Sequence, residues 1–452
     1  MSPTPSLETP LPGVTALPGG LGWTVTDRSV AVRLLADERL GVVESAPVMA
    51  ALAARLPPEV RAPAAELAAF AERIMLQAAP ARHAELRRGF GRFFTADAVD
   101  ALLPDLRLLA ERAVSEAVAR GGCEFMTQLA FRYAVDTGAR LIGLPPAEYR
   151  RLHKLSQQLA LVAYAARLAD PAQAVRDGHA ALCEIRSAVA AARAAAPAGS
   201  VLGQWQREGI GELPEPDVEA NIVMLIQASL ETVAGMLGNT AARLLGSAGA
   251  LADPARREAA IDQALRAEPP LKTLERLVRE PVELDGFRFE AGQVVSVRIA
   301  EANRPAESGE PVAGRAVLSF GWGAYRCLGA RLARHQALEL FGALHRLAPD
   351  WVLQDAEVER VRHLRFDMPR RLPLGPPPSP PPAGTPAAGL PGDLTEALTE
   401  ALAEHDLDRP LSSVERVVAA AVLEEMGRPR PEPTDLPQTI REWVTWANHD
   451  RG

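Results

Sequence analysis

The chain has 452 residues, 48% of them hydrophobic, and a formal charge of −8, which allows a large core with room for a second module. From Gly392 to Gly452, 13 acidic residues face 6 arginines. Nearly all the net charge therefore sits in that tail, and the almost neutral remainder argues against nucleic acid as the main partner. The abundance of alanine, leucine and arginine favours helix over sheet. Cys123, Cys183 and Cys327 are too far apart in sequence for a disulfide framework or a clustered zinc pattern, and fit a reducing compartment. Met1 to Gly20 is proline-rich, without the basic region and apolar run of a signal peptide. No uninterrupted apolar stretch of membrane-spanning length is read, Asn221 to Leu230 being bounded by polar groups. A soluble, cytoplasmic protein with no membrane partner is expected.

In chain order, residues 1–20 read as loose. Trp23-Thr-Val-Thr26 alternates like a short strand, and Arg28 to Asp37 carries a helical apolar pattern at Val30, Val32, Leu34 and Leu35. In Pro80 to Arg88, His83 and Arg87 are four apart, so a helix sets them on one face able to hold an anion. A solvated basic face paired with Glu85 is the plainer reading of the same residues. Phe125 to Leu168 alternates helical stretches with a Gly-Leu-Pro-Pro turn at 143–146. Asp170 to Arg193 continues as an alanine-rich helix in which Cys183 reads as a packing residue, and Pro197 to Pro216 reads as a connection. The next helix starts near Asp217, a cap after Pro216, and runs beyond Asn239. Within it Glu231 and Thr232 set a carboxylate beside a hydroxyl, a pair that on its own is more often local helix structure than chemistry. Arg276 to Val297 forms short alternating runs broken at Asp285-Gly286 and Ala291-Gly292, the pattern of strands and tight turns.

The stretch Phe320-Gly-Trp-Gly-Ala-Tyr-Arg-Cys-Leu-Gly329 puts Cys327 on a glycine-rich loop directly before an amphipathic helix marked by Leu328, Leu332, Leu338 and Leu340. The free N–H groups of a first helical turn favour a thiolate there, and a thiolate so held is a strong axial ligand for haem iron. A small buried hydrophobe at a helix start is the other reading. From Phe320 to Arg334 the segment resembles the haem-binding signature of cytochrome P450 enzymes, with Phe-Gly-x-Gly before the cysteine and Cys-x-Gly-x-x-Leu-Ala-Arg after it.

The resemblance spans roughly Leu21 to Leu374 and implies a bacterial-type cytochrome P450 fold, predominantly α with a small β region. It implies haem b ligated by Cys327, with Phe320, Gly321 and Tyr325 in the cofactor loop and His83, Arg87 and Arg276 at the propionates. Glu231 and Thr232 match an acid–alcohol pair that delivers protons, although Ser229 stands where a glycine usually permits helix distortion. Arg82, Arg88, Arg92, Arg326, Arg331 and Arg334 are implied to form a basic surface for a ferredoxin-like donor served by a separate reductase. The sequence also departs from the family. Gln263-Ala-Leu-Arg266 replaces Glu-x-x-Arg and loses an ion pair. Pro305 follows Ala302-Asn-Arg304 where an aspartate is usual, and Asn303 to Phe320 is compressed. Val317 and Tyr325 occupy positions that often supply histidines.

Eight prolines between Pro376 and Pro391 mark a linker. Beyond it, Leu394 to Leu402, Val414 to Met426 and Thr439 to Trp446 read as helices. With Leu411-Ser-Ser-Val414, this segment resembles an acyl or peptidyl carrier domain, a small three- or four-helix bundle. The resemblance makes Ser413 a possible phosphopantetheine attachment residue, although Ser412 replaces the usual aspartate and forms a Ser-x-x-Glu capping box with Glu415. The expected organisation is 1–20 loose, 21–375 haem-binding, 376–391 linker and 392–452 carrier-like. The leading expectation is a haem-thiolate monooxygenase acting in secondary metabolism on a small organic or carrier-tethered acyl or aminoacyl substrate. Its rivals are a degenerate homologue that assists another biosynthetic enzyme, and atypical haem chemistry such as peroxide use, dehydration or coupling.

Overall fold

The computed structural model describes residues 11–42, 51–162, 165, 168–246, 249–304, 316–355, 357–361, 363, 365–377 and 439–449. The chain divides into two compact units, Met1–Pro378 and Ser379–Gly452. In the second, Thr439 accepts the Glu442 N–H at the start of a helix over Ile440–His449, close to the expected terminal helix. Ser413, the other expected carrier helices and the linker beyond Pro377 lie outside the described residues.

The first unit is predominantly helical, with a minor β region. Strands β1 (Val14–Ala16), β2 (Gly22–Val25), β3 (Leu40–Gly41), β5 (Thr273–Val278) and β8 (Val294–Arg298) form one sheet in the order β1-β2-β8-β5-β3. Its β2–β8 pair is parallel and its β5–β8 pair antiparallel, and Arg276 lies opposite Val295. A second sheet joins β4 (Cys123–Glu124), β9 (Val352–Leu353) and β10 (Pro373–Gly375). The β6 (Val282–Leu284) and β7 (Phe287–Phe289) hairpin turns at Asp285-Gly286, both at positive φ, as the Asp-Gly pair predicts. Helix α1 (Arg28–Ala36) is capped by Asp27 and buries Val30, Leu34 and Leu35 against this region.

A larger apolar core gathers the helices: α2 (Pro58–Ala71), α3 (Pro80–Gly91), α4 (Ala96–Ala119), α5 (Phe131–Ile142), α6 (Pro146–Leu161), α7 (Pro171–Arg193), α8 (Val201–Glu208), α9 (Glu215–Ala228), α10 (Glu231–Leu244), α11 (Pro254–Ala267) and α13 (Ala330–Leu347). Helix α12 (Ile299–Ala302) is a single turn belonging to the sheet core. Helix α13 lies along α4, and ion pairs Arg107–Glu339, Arg331–Asp100 and Arg346–Glu111, at 3.0, 2.7 and 2.8 Å, follow their contact.

Several expectations are corrected. Residues 197–216 contain α8, capped by Ser200, rather than only a connection. Helix α9 starts at Glu215 because Pro216, lacking an N–H, suits a first helical turn; Asp217 is therefore inside the helix and is not its cap. Cys183 is exposed, so it is not a packing residue. Glu215–Leu244 is long and apolar enough to cross a bilayer, contrary to the sequence reading, but 67% of its apolar window is buried inside the protein, as in a core helix.

Asp217 instead organises a buried polar joint. Arg73 Nη1 meets its carboxylate at 3.0 Å and Arg82 meets the other oxygen. Asn221, one turn on, donates to the Arg73 and Asp217 carbonyls and accepts the Met75 N–H. Replacing Asp217 by Asn removes the charge while keeping the shape. It should cost about 1.5–3 kcal/mol, the scale of a charge-assisted hydrogen bond, read as a lower urea midpoint at unchanged slope.

Candidate functional site

The loop before α13 is held by tight turns. Gly321 N–H donates to Leu318 O at 2.8 Å, Arg326 N–H to Gly323 O at 3.2 Å and Cys327 N–H to Phe320 O at 2.7 Å. Gly321 and Gly323 have φ of +72° and +66°. A Cβ on Gly323 would come within 2.6 Å of Leu35 O and 3.1 Å of Ala36 Cα, so only glycine lets this loop rest on the end of α1. Phe320 lies against the helical core, and the Arg334 guanidinium sits 5.8 Å from its ring centre.

The Cys327 side chain is accessible, yet surrounding protein withdraws its thiol from water and pushes its pKa up. The Gly329 N–H, Arg87 and Arg326 oppose the rise, and burial outweighs them. The helix start, expected to favour a thiolate, thus acts against a larger burial effect, which a cation at the sulfur would offset.

Around this loop the structure brings together His83, Arg87, Arg276 and Tyr325. Arg87 reaches from α3 to donate to Arg326 O at 2.5 Å. The rings of His83 and Tyr325 are 4.1 Å apart, and the Arg276 guanidinium lies 4.9 Å from the Tyr325 ring centre. Burial, followed by repulsion from Arg87 and Arg276, lowers the His83 pKa to about 4. Burial also lowers Arg276, whose Nη1 donates to Glu275 O at 2.8 Å while its buried Nε has no hydrogen-bond partner among the described residues. This donor set fits a flat group that brings carboxylates to the cations and a thiophilic metal to the sulfur. Tyr325, at a position where histidine was the family expectation, contributes an aromatic face.

The acid and alcohol occupy a break in the core helix. Helices α9 and α10 are interrupted at Ser229 and Leu230. The Ser229 and Thr232 hydroxyls donate to Leu225 O and Ala228 O, each at 2.7 Å. Hydroxyls that bond back to carbonyls bend helices, so the distortion occurs without the glycine usual at position 229. Glu231 and Thr232 are not hydrogen-bonded to each other among the described residues. Glu231 turns to α6, where His153 Nε2 lies 3.1 Å from Oε2 and Gln157 Nε2 donates to Oε1 at 2.7 Å. Sequence reading missed these partners; the spacing of four that sets Tyr149, His153 and Gln157 on one helix face was the available signal.

Gln263 is exposed and makes no side-chain hydrogen bond among the described residues, so it does not act as an acceptor in the core. The preceding Asp262 pairs with Arg334 at 2.5 Å. The basic surface is also reduced. Arg82 is tied to Asp217 and Glu85, Arg92 donates to Gly209 O, and Arg331 and Arg334 are paired with acids. Arg88 and Arg326 remain exposed without a side-chain partner among the described residues. A cleft of about 820 Å³ bounded by Leu144, Glu148, Arg151, Glu184 and Ala188 is remote in sequence from the Cys327 loop and includes none of its residues.

No family model matches the chain. It is 27% identical over 318 residues to the cytochrome P450 monooxygenase PikC of Streptomyces venezuelae, covering 66% of this chain and 74% of that one. It is 26% identical over 351 residues to the vitamin D(3) 25-hydroxylase of Pseudonocardia autotrophica, covering 75% and 83%. Among solved structures, epothilone D-bound cytochrome P450epoK aligns with a TM-score of 0.67 at 21% identity, over 81% of this chain and 94% of that one. P450BioI, solved in complex with a hexadec-9Z-enoic acid-ligated acyl carrier protein, aligns with a TM-score of 0.65 at 20% identity, over 78% and 92%.

The His83 cluster sets a pH dependence. In haem-free protein the unfolded imidazole, with a pKa near 6.5, binds a proton that the folded one refuses until about 4. Stability should therefore fall as pH drops through that window. Thermal melts from pH 7 to 4 should show the fall, and His83→Gln should flatten it.

Proposed function

The chain is homologous to bacterial cytochrome P450 enzymes, which supports monooxygenase-type catalysis, and from that premise we propose a haem-thiolate monooxygenase of secondary metabolism. The observation that carries this reading is Cys327 on its glycine-turned loop beside Arg87 and Arg276, whose buried Nε has no hydrogen-bond partner among the described residues. Cys327 would ligate the iron of haem b, with His83, Arg87 and Arg276 holding its carboxylates and Phe320, Gly321 and Tyr325 shaping the loop against it. Bound there, a haem with a thiolate ligand supplies the redox chemistry that activates dioxygen. Overall, a substrate C–H bond, dioxygen, two electrons and two protons become an alcohol and water.

The protein's own part is to hold the substrate and to deliver protons. Glu231 would be the acid and Thr232 the hydroxyl, side by side at the α9–α10 break. Electrons would come from a ferredoxin-like donor with its own reductase, docking where Arg88 and Arg326 stay exposed. The neighbouring arginines are already paired, so this attraction is weaker than the sequence implies. The relatives named erythromycin C-12 hydroxylase and steroid C26-monooxygenase, and the acyl carrier protein ligated with hexadec-9Z-enoic acid in complex with P450BioI, support a small organic or carrier-tethered substrate. Ser413 is the proposed attachment residue if this chain carries its own tether. A cytoplasmic location accords with the expected redox partners.

Exposed Gln263 favours a second reading, a non-catalytic homologue assisting another biosynthetic enzyme. The carbon-monoxide difference spectrum of reduced protein separates the two. The enzyme reading expects a thiolate-type band that Cys327→Ser abolishes; folded wild-type chain that binds no haem would sink it. Thr232→Ala should keep the band while diverting electrons from organic product to peroxide or water, with product per dioxygen falling at least about tenfold. Incubation with a phosphopantetheinyl transferase should add one phosphopantetheine mass to the wild type and none to Ser413→Ala. An unchanged wild-type mass beside a working control opposes tethering.

A further inference from the structure

Glu231 has a partner that the reading above does not use. Tyr149, His153 and Gln157 recur at intervals of four along α6, so they share the face turned toward the α9–α10 break. At its first position, Tyr149 OH lies 2.6 Å from Ser229 Oγ. His153 is buried, with Nε2 3.1 Å from Glu231 Oε2. Gln157 is exposed; its Nε2 donates to Glu231 Oε1 at 2.7 Å and lies 3.3 Å from His153 Nε2.

This arrangement satisfies His153 Nε2 in two forms. Carrying a proton, it donates to Glu231 Oε2. Without one, it accepts the second N–H of Gln157. Proton departure from this nitrogen therefore leaves no unmet buried polar atom, which would otherwise cost about 1–3 kcal/mol. Merely anchoring a carboxylate would require only the first form.

We propose that His153 is a positioning residue that recharges Glu231 with protons, an inference resting on the monooxygenase reading. A proton passes from Nε2 to Oε2 of Glu231, leaving a neutral imidazole with its remaining proton on Nδ1 and Nε2 accepting from Gln157. Solvent water on the exposed Gln157 side returns one proton for each transferred. Those protons are consumed with the external donor's electrons as dioxygen is reduced, so the step needs no reactant beyond that reading. Gln157 is the gate residue of this exchange, since its amide serves both the acid and the bare imidazole nitrogen.

The test uses the full-length, haem-loaded chain and donor-driven dioxygen consumption, which requires no identified substrate. His153→Gln preserves hydrogen bonding but cannot relay a proton. It should slow consumption at least about tenfold and raise the solvent deuterium isotope effect. His153→Phe should match it, and His153→Gln combined with Glu231→Gln should lose no more than Glu231→Gln alone, as expected for residues in one path. Gln157→Leu, at an exposed position that safeguards folding, should raise the isotope effect in the same direction. Independently of turnover, the imidazole ¹⁵N spectrum of the ferrous carbon-monoxide form should show an Nε2–H bonded to carboxylate that Glu231→Gln removes. Full rate and an unchanged isotope effect in folded His153→Gln would overturn the relay. Absence of the thiolate-type band in wild type would instead overturn the monooxygenase reading beneath it, and the two failures are distinguished by that spectrum.

Discussion

The site depends on positive charge held away from water. Arg87 and Arg276 come from a helix and a sheet strand and burial disfavours the protonated form of each, while burial and these two cations keep the neighbouring His83 imidazole neutral down to about pH 4. Arg276 Nε has no hydrogen-bond partner among the described residues, while burial pushes the nearby Cys327 thiol pKa up. Cations short of an anion and a sulfur short of a cation present complementary deficits. A metal-centred group with peripheral carboxylates would relieve both, and only these residues taken together offer it both partners.

The surrounding fold supplies rigidity to that cluster. The β5–β8 ladder fixes the backbone of Arg276, α3 carries His83 and Arg87 on one face, and Gly323 lets the cysteine loop rest on the end of α1. Helix α13 is then braced along α4 by surface ion pairs. Individually such pairs contribute little, so the apolar contact of the two helices is the stronger restraint. One of these pairs takes up Arg331, and Arg82, Arg92 and Arg334 are engaged elsewhere, so most of the arginines that the sequence offered to a redox partner are already bonded.

At the α9–α10 break, side-chain hydroxyls replace glycine as the cause of helix distortion. Ser229 and Thr232 bond to carbonyls one turn back, and the carboxylate between them turns outward to His153 and Gln157. The chain thus reaches a broken helix by a different local route from that expected of its relatives. The loss of the usual glutamate at Gln263 has a similar lesson: exposure, rather than a substitute hydrogen bond, is the structural outcome there.

By itself the sequence determined the helical character, the strand at Trp23, the Asp285-Gly286 turn and the cysteine loop, because periodicity, turn chemistry and contiguous motif residues are local properties. It also placed His83 and Arg87 on one helix face through their spacing. Only tertiary structure decided that Arg276 and Tyr325 join them, because that meeting requires a strand and a loop nearly fifty residues apart to converge. It likewise decided that Asp217 ties down Arg82, that Cys183 faces solvent and that Glu231 pairs with His153. Burial, charge pairing and the orientation of a side chain around a helix depend on what packs against it, and that information is distributed over the whole chain.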